Sequence, residues 1–443
     1  MGHTLRLAVA ALACTGLFAA EPHAEVKALA AAERDTLAAL YRELHANPEL
    51  SFQEKATAVR VARELRAAGF EVTEGVGGHG VVGVMRNGEG PTVLVRTDLD
   101  GLPVVEKTGL PYASQVRARD DQGNEVGVMH ACGHDVHMTV FAGTARILNK
   151  LKDRWKGTLV MIGQPAEERG SGARAMLKDG LYTRFPRPDF CLALHTDAAL
   201  EAGKIGYRDG FVMANVDSVE ITMRGVGGHG AYPQFTKDPI VMSAELILAL
   251  QTVVSREVAP ISPAVVTVGS IHGGTKHNII PDEVALQLTV RSYTDETREM
   301  ILAAIRRIAK GTAVTNGVPP DREPVVTQRE TEYTPATYND PELAERMARR
   351  WRSIFGDSNV VVREPEMGGE DFSRYGRQDP KIPSLFFRIG TVDAGRMEEA
   401  RRTNTPLPSL HSSQYWPAIH PTLETGVAAM TAAVLDLLAP RAD

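Results

Sequence analysis

Thr92-Val93-Leu94-Val95-Arg96-Thr97-Asp98-Leu99-Asp100 is a run with a β-branched, apolar start that ends in two aspartates. It reads as a buried strand with both acids just past its carboxyl end. The arrangement recurs: Thr158 to Ile162 is followed by Glu167 and Glu168, and Phe190 to Leu194 by His195. Gly80 to Met85 reads as a further strand, while helical spacing of Leu, Ala and Val covers 26–45, 54–68, 138–151 and 172–177. Strands alternating with helices predict an α/β fold with a mainly parallel sheet covered on both faces. Ligands of such sheets gather at the carboxyl ends of the strands, so these polar groups share one rim.

Met129-His130-Ala131-Cys132-Gly133-His134-Asp135-Val136-His137, with Gln164-Pro165-Ala166-Glu167-Glu168 further on, carries the chemistry. A thiol, imidazoles and two adjacent carboxylates can hold a divalent metal and still leave one base free.

Near Met213 the pattern changes. Val216, Ser218, Glu220 and Thr222 alternate as in a half-exposed strand. After them come Gly227-Gly228-His229-Gly230-Ala231-Tyr232-Pro233, a helix over 239–254, strands over 264–271 and 283–292, a helix over 295–309 and a strand near 324–327. That order suits an α+β ferredoxin-like sandwich. The expected division is a leader over 1–24, a first α/β part over 25–212, the insert over 213–328, and a second α/β part over 329–443. The second part holds a helix over 341–355, a strand over 384–389 and a closing helix over 423–438.

The chain has 443 residues, 43% hydrophobic and 23% charged, too many for one ordinary domain. A net charge of -6 and a pI near 6.1 leave no electrostatic footprint for nucleic acid. Arg6 precedes the apolar run Leu7 to Ala20, the layout of a secretory signal and too short for a permanent membrane anchor. A periplasmic or secreted protein is therefore expected. Two other readings of this segment are lipid attachment at Cys14 and a buried helix. Without Cys14, Cys132 and Cys191 are left, too few for a disulfide framework.

RTDLDGLP (96–103), MHACGHDVHM (129–138), GQPAEERGSGARAML (163–177), GGHGAYP (227–233), GGTKHNIIPDEV (273–284), MGGEDF (367–372) and LHSSQY (410–415) resemble, in this order, the M20 family of metallopeptidases and amidohydrolases. The likeness is to its aminoacylase, hippurate hydrolase and auxin-conjugate hydrolase branch. It implies a catalytic domain carrying two divalent metal ions and an inserted lid and dimerisation domain. The ligands it implies are Cys132, His134, Glu168, His195 and His411, with the Cys132 thiolate bridging. Sulfur, imidazole and carboxylate suit zinc; manganese, cobalt and nickel also occupy such sites. Asp98 and Asp100 would orient a bound imidazole, and Glu370 and Asp371 would support by hydrogen bonding. His130 and His137 would pack around the ligands.

The resemblance also implies the reaction, hydrolysis of an amide bond in an N-acyl amino acid or small peptide. Glu167 would be the general base and acid for a metal-activated water. His229 would polarise the carbonyl, often from the partner subunit of a homodimer, and Asn278 and Arg291 would bind the substrate carboxylate. Alternatives are a dipeptidase or carboxypeptidase of the same fold, a cysteine hydrolase using Cys132 with His134, and a non-catalytic envelope protein that binds metal or peptide.

Overall fold

The computed structural model describes residues 22–439. The expected leader therefore lies outside the described residues, apart from its last three positions, and so does Cys14. The chain opens with α1 (Pro22–Ala32), α2 (Arg34–Ala46) and α3 (Lys55–Ala67). The single helix expected over 26–45 is thus two helices meeting at Glu33, whose carboxylate pairs with Lys150 at 2.6 Å and Arg146 at 3.2 Å. Strands β1 (Glu71–Val76), β2 (Gly80–Asn87) and β3 (Thr92–Asp98) follow, then α4 (His134–Lys150), β4 (Gly157–Gln164), α5 (Gly172–Lys178), β5 (Phe190–Glu201) and β6 (Ile205–Tyr207).

The insert runs β7 (Asn215–Arg224), α6 (Pro239–Thr252), β8 (Ala264–Gly273), β9 (Glu283–Ser292), α7 (Asp295–Thr315) and β10 (Val325–Gln328). After it come α8 (Pro341–Phe355), β11 (Val360–Val362), β12 (Ser384–Val392) and α9 (Ile419–Leu438). Helix α8 has the expected limits because both ends are marked: Asp340 caps Leu343 N–H at 2.9 Å, Pro341 fills the first helical position, and Gly356 stops the helix at φ 85°.

The larger sheet has eight strands in the order β1-β2-β4-β3-β5-β12-β6-β11. Its centre, β4-β3-β5-β12, is parallel, and β3 and β12 are buried almost throughout because helices cover both faces. One face carries α2, α3, α4, α8 and α9 over Leu37, Val93, Val95, Trp351 and Phe387. The other buries Ala173 and Met176 of α5 with Phe372, Tyr375 and Phe386. Strand β2 is not parallel as the alternation suggested. It forms a hairpin with β1 through a short turn at Gly77 and Gly78, and two strands joined so tightly must run antiparallel.

The smaller sheet, β8-β9-β7-β10, is antiparallel throughout. Strand β9 alternates buried and outward residues along most of its length, so Val284, Leu286, Leu288 and Val290 meet Leu246, Leu250, Ile301 and Ile305 from α6 and α7. This is the ferredoxin-like order. The chain has a mixed α/β fold of two domains.

Candidate metal centre

Five separate stretches deliver polar side chains to the carboxyl rim of the larger sheet. Asp98 ends β3 and Asp100 follows it, Cys132 sits just before α4, His134 and His137 lie in its first turn, Glu167 and Glu168 follow β4, His195 lies on β5, and His411 stands in the loop before α9. Two of these loops hold a non-glycine residue in the left-handed region, Ala166 at φ 47° and His411 at φ 67°. Such a conformation costs about 1–2 kcal/mol for an L-residue, so the surroundings must enforce it. Gly133, at φ 81°, is required by space as well. A Cβ there would stand 2.7 Å from Thr196 Oγ1.

The Cys132 sulfur lies 3.4 Å from His195 Nε2 and 3.3 Å from His411 Nε2. Glu168 stands 3.7 Å from His134 Nε2 and 3.6 Å from His411 Nε2. Ligand atoms of Cys132, His134 and His195 lie within 4.8 Å of one another, as do those of Cys132, Glu168 and His411. All five residues expected to bind metal are thus gathered in one place.

Hydrogen bonds sort the imidazoles. His195 Nδ1 donates to Thr196 O at 2.8 Å, and His134 Nδ1 to Asp100 O at 2.8 Å, so each aims a bare Nε2 inward. Asp100 therefore orients His134 through its main-chain carbonyl; its carboxylate accepts from Ser51 Oγ and the Glu168 amide. His137 has no nitrogen to spare, because Nδ1 donates to Asp98 at 2.8 Å and Nε2 accepts the Thr196 amide at 2.9 Å. It packs around the cluster, as expected.

The donors fit a divalent cation. His134 Nε2 and Glu168 Oε1 are buried with no hydrogen-bond partner, and buried polar atoms are seldom left so. Burial, with Glu168 and Glu167 nearby, holds the Cys132 thiol well above its usual pKa. Burial likewise raises Glu168 to about 7, against the pull of His134. Burial opposes charge on His134, yet Asp98, Asp100 and Glu168 outweigh it and lift the imidazole to about 10. A cation bound among these groups would displace the protons they hold.

Glu167 is buried and faces Glu370 and Asp371, all three within 4.8 Å of one another. Burial and those two acids raise its pKa well above the usual carboxylate value. Behind them lies Arg96, fully buried, donating to Gln164 at 3.0 Å, Asp98 at 2.7 Å, Glu370 at 2.9 Å and Asp371 at 3.2 Å. Arg96 was not singled out from the sequence. A lone charge inside an apolar strand was the signal available.

A cleft of about 670 Å³ opens over the cluster, lined by Cys132, Glu167, Glu168, His195 and His411 and by Arg291 of β9. Arg291 donates to Met367 O at 2.7 Å and Thr289 Oγ1 at 3.2 Å and has no carboxylate partner. His229 and Asn278 do not line this cleft. They sit together on the insert's exposed surface, where Gly228 and His229 pair with Ile279 and Ile280 and Gly230 N–H donates to Asn278 O. The Arg388–Glu366 ion pair in the cleft wall was also missed by sequence reasoning.

A thiol, imidazoles and a carboxylate with unengaged lone pairs, beside a further buried acid in a cleft, define a metal-dependent hydrolase. Residues 94–411 match the family described as peptidase family M20/M25/M40, and the chain belongs to that family. Thermostable carboxypeptidase 2 of Saccharolobus solfataricus is 38% identical over 361 residues, covering 81% of this chain and 86% of the relative. The N-acetylcysteine deacetylase of Bacillus subtilis is 36% identical over 355 residues, covering 79% and 87%. Among solved structures, the Bacillus subtilis YXEP protein, described as a dinuclear metal binding peptidase from the M20 family, superposes with a TM-score of 0.74 at 29% identity, covering 92% of this chain and 99% of that one. The chain is a metal-dependent amidohydrolase that uses divalent metal.

Proposed function

We propose that the protein hydrolyses the amide bond of N-acyl amino acids or small peptides, with two divalent ions held by Cys132, His134, Glu168, His195 and His411. The observation that carries this reading is the convergence of those donors at the floor of one cleft, with Glu167 adjoining them, 3.7 Å from His134 Nε2, and turned also towards Glu370 and Asp371. Bound divalent ions supply Lewis acidity, polarising the acyl carbonyl and lowering the pKa of water from 15.7 to about 7. Glu167 takes the proton of the attacking water on a carboxylate oxygen and passes it to the nitrogen of the departing amine. Asp100 holds the His134 imidazole in place through its main-chain carbonyl, whereas Asp98, expected to do the same, bonds His137, which packs around the ligands and is not one of them. Arg291 binds the α-carboxylate, a group shared by N-acyl amino acids and the last residue of a peptide, so a carboxypeptidase reaction remains within the same reading.

The thiol and imidazole donors favour zinc, with manganese, cobalt and nickel as alternatives. His229 and Asn278 act on substrate from the partner subunit of a homodimer formed through the insert. Their exposure away from their own cleft supports this, as do the outward apolar side chains of Phe235, Leu248, Ile261 and Ile271. The leader over 1–24 directs export to the periplasm or outside.

The test loads the protein with zinc or manganese and offers a panel of N-acyl amino acids and dipeptides, reading amine release. Hydrolysis is expected with metal, none after chelation, and a fall of about 10²–10⁴-fold in Glu167→Gln with metal content unchanged. Activity that survives chelation, or an active Glu167→Gln variant, overturns the proposal.

A further inference from the structure

Strand β12, Ser384-Leu385-Phe386-Phe387-Arg388-Ile389-Gly390-Thr391-Val392, is buried at all nine positions and has one charged residue, Arg388. It stands in register with His195 on β5, so its guanidinium enters the cleft wall one strand away from an expected metal ligand. Its side chain is only 5% exposed, and it makes one ion pair, Nη2 to Glu366 Oε2 at 2.9 Å. Glu366, which also lines the cleft, is 48% exposed at its side chain. The guanidinium also lies over the Phe386 ring, with its centroid 5.8 Å away.

The other buried arginine of this region is used quite differently. Arg96 donates to four side chains, all buried, and does not line the cleft. A guanidinium carries five donors in a planar fork that matches a carboxylate two at a time, and Glu366 engages Arg388 through one nitrogen only. A buried cation held by one half-exposed acid is poised for exchange. An incoming carboxylate replaces Glu366 without changing the net charge at the guanidinium, and Glu366 returns to water. Arg291, on the inserted domain, lines the same cleft with no carboxylate of its own, so two guanidiniums from different domains border it.

We propose that Arg388 determines specificity by accepting a second substrate carboxylate, apart from the one bound by Arg291, so that the preferred substrates are amides bearing two acidic groups. This rests on the hydrolase reading above. The second acid belongs either to the side chain of the released amino acid or to a dicarboxylic acyl group; the recognition chemistry is shared.

The experiment compares N-acetylleucine with N-acetylglutamate and N-succinylleucine on the metal-loaded enzyme, one diacid for each source. Wild type is expected to favour at least one diacid in kcat/KM. Arg388→Met is expected to lower that diacid-to-neutral ratio by about thirtyfold, chiefly through KM. Glu366→Gln, which removes the competing carboxylate, is expected to raise the same ratio. Opposite shifts separate recognition from bracing, because an ion pair that only braced β12 would move both variants the same way. The inference is overturned by a wild-type preference for N-acetylleucine, by an unchanged ratio in Arg388→Met, or by parallel shifts in the two variants. Calorimetric affinities of N-acetylglutamate and N-acetylleucine are measured alongside. A protein that cleaves nothing then refutes the hydrolase reading, while the affinity ratio still decides the role of Arg388.

Discussion

Replacing Arg96 by Met removes the one cation shared by three buried carboxylates. The guanidinium donates to Gln164, Asp98, Glu370 and Asp371 over 2.7 to 3.2 Å, and every partner is buried. Removing one side of a buried ion pair costs about 3–5 kcal/mol, because the partner is left charged and dry. Not all three acids would stay charged. Burial already raises Glu370 to about 7 with Arg96 present, and it raises Asp371 as well. Without Arg96 both rise further, so protonation relieves them as the pH falls. Folded carboxylates with raised pKa values destabilise above their unfolded pKa, so the loss should be about 3–5 kcal/mol at pH 8 and clearly smaller at pH 5.5. Urea unfolding of wild type and Arg96→Met at both pH values, with matched metal, measures this. A loss under about 1 kcal/mol at pH 8, or a larger loss at pH 5.5, would refute the electrostatic account of Arg96.

Three further outcomes are expected. Cys132→Ser replaces the sulfur shared between His195 and His411 by a weaker donor, so metal content after dialysis should fall to about half or less; full retention would remove the thiolate from the ligand set. Burial disfavours charge on His45, yet Asp135 at 2.6 Å and Glu106 at 3.1 Å lift its pKa from 6.5 to about 9. Its pairing therefore contributes fully below pH 6.5 and is lost as pH rises through 9, about 3 kcal/mol in all, so the urea midpoint of metal-loaded protein should drop between pH 7 and 9.5 and a flat midpoint would contradict the pair. His229→Ala should lower kcat by about 10²–10³-fold, and mixing it with Glu167→Gln should restore part of the activity if the two residues serve one site across a dimer; no recovery would assign both to one chain.

Much of the larger domain was legible because its strands are buried on both faces. Runs such as Thr158–Ile162 and Phe190–Leu194 are then almost wholly apolar, and the acids or imidazoles that follow them stand out. The insert was legible for the opposite reason, since β9 alternates and α6 and α7 keep helical spacing. Strand β1, Glu71–Val76, was not seen, because only Val76 is buried and its polar residues give no period. The five expected metal donors were legible through the resemblance of their motifs to a known family; position after a strand marked Glu168, whereas His411, in a loop between two helices, had no local signal of its own. Arg388 escaped because its strand was read for hydrophobicity alone. The positions of His229 and Asn278 escaped for another reason: which cleft an exposed loop faces depends on packing between distant elements, and no local pattern encodes it.

The sulfur of Cys132 touches a histidine 279 positions further along the polypeptide. A centre assembled from such separated pieces cannot exist on a partly synthesised chain, nor in one that has collapsed only locally. Cation capture is therefore a late step in maturation, after the closing segment has docked, and an emerging chain has at most fragments of the final cage to offer stray ions.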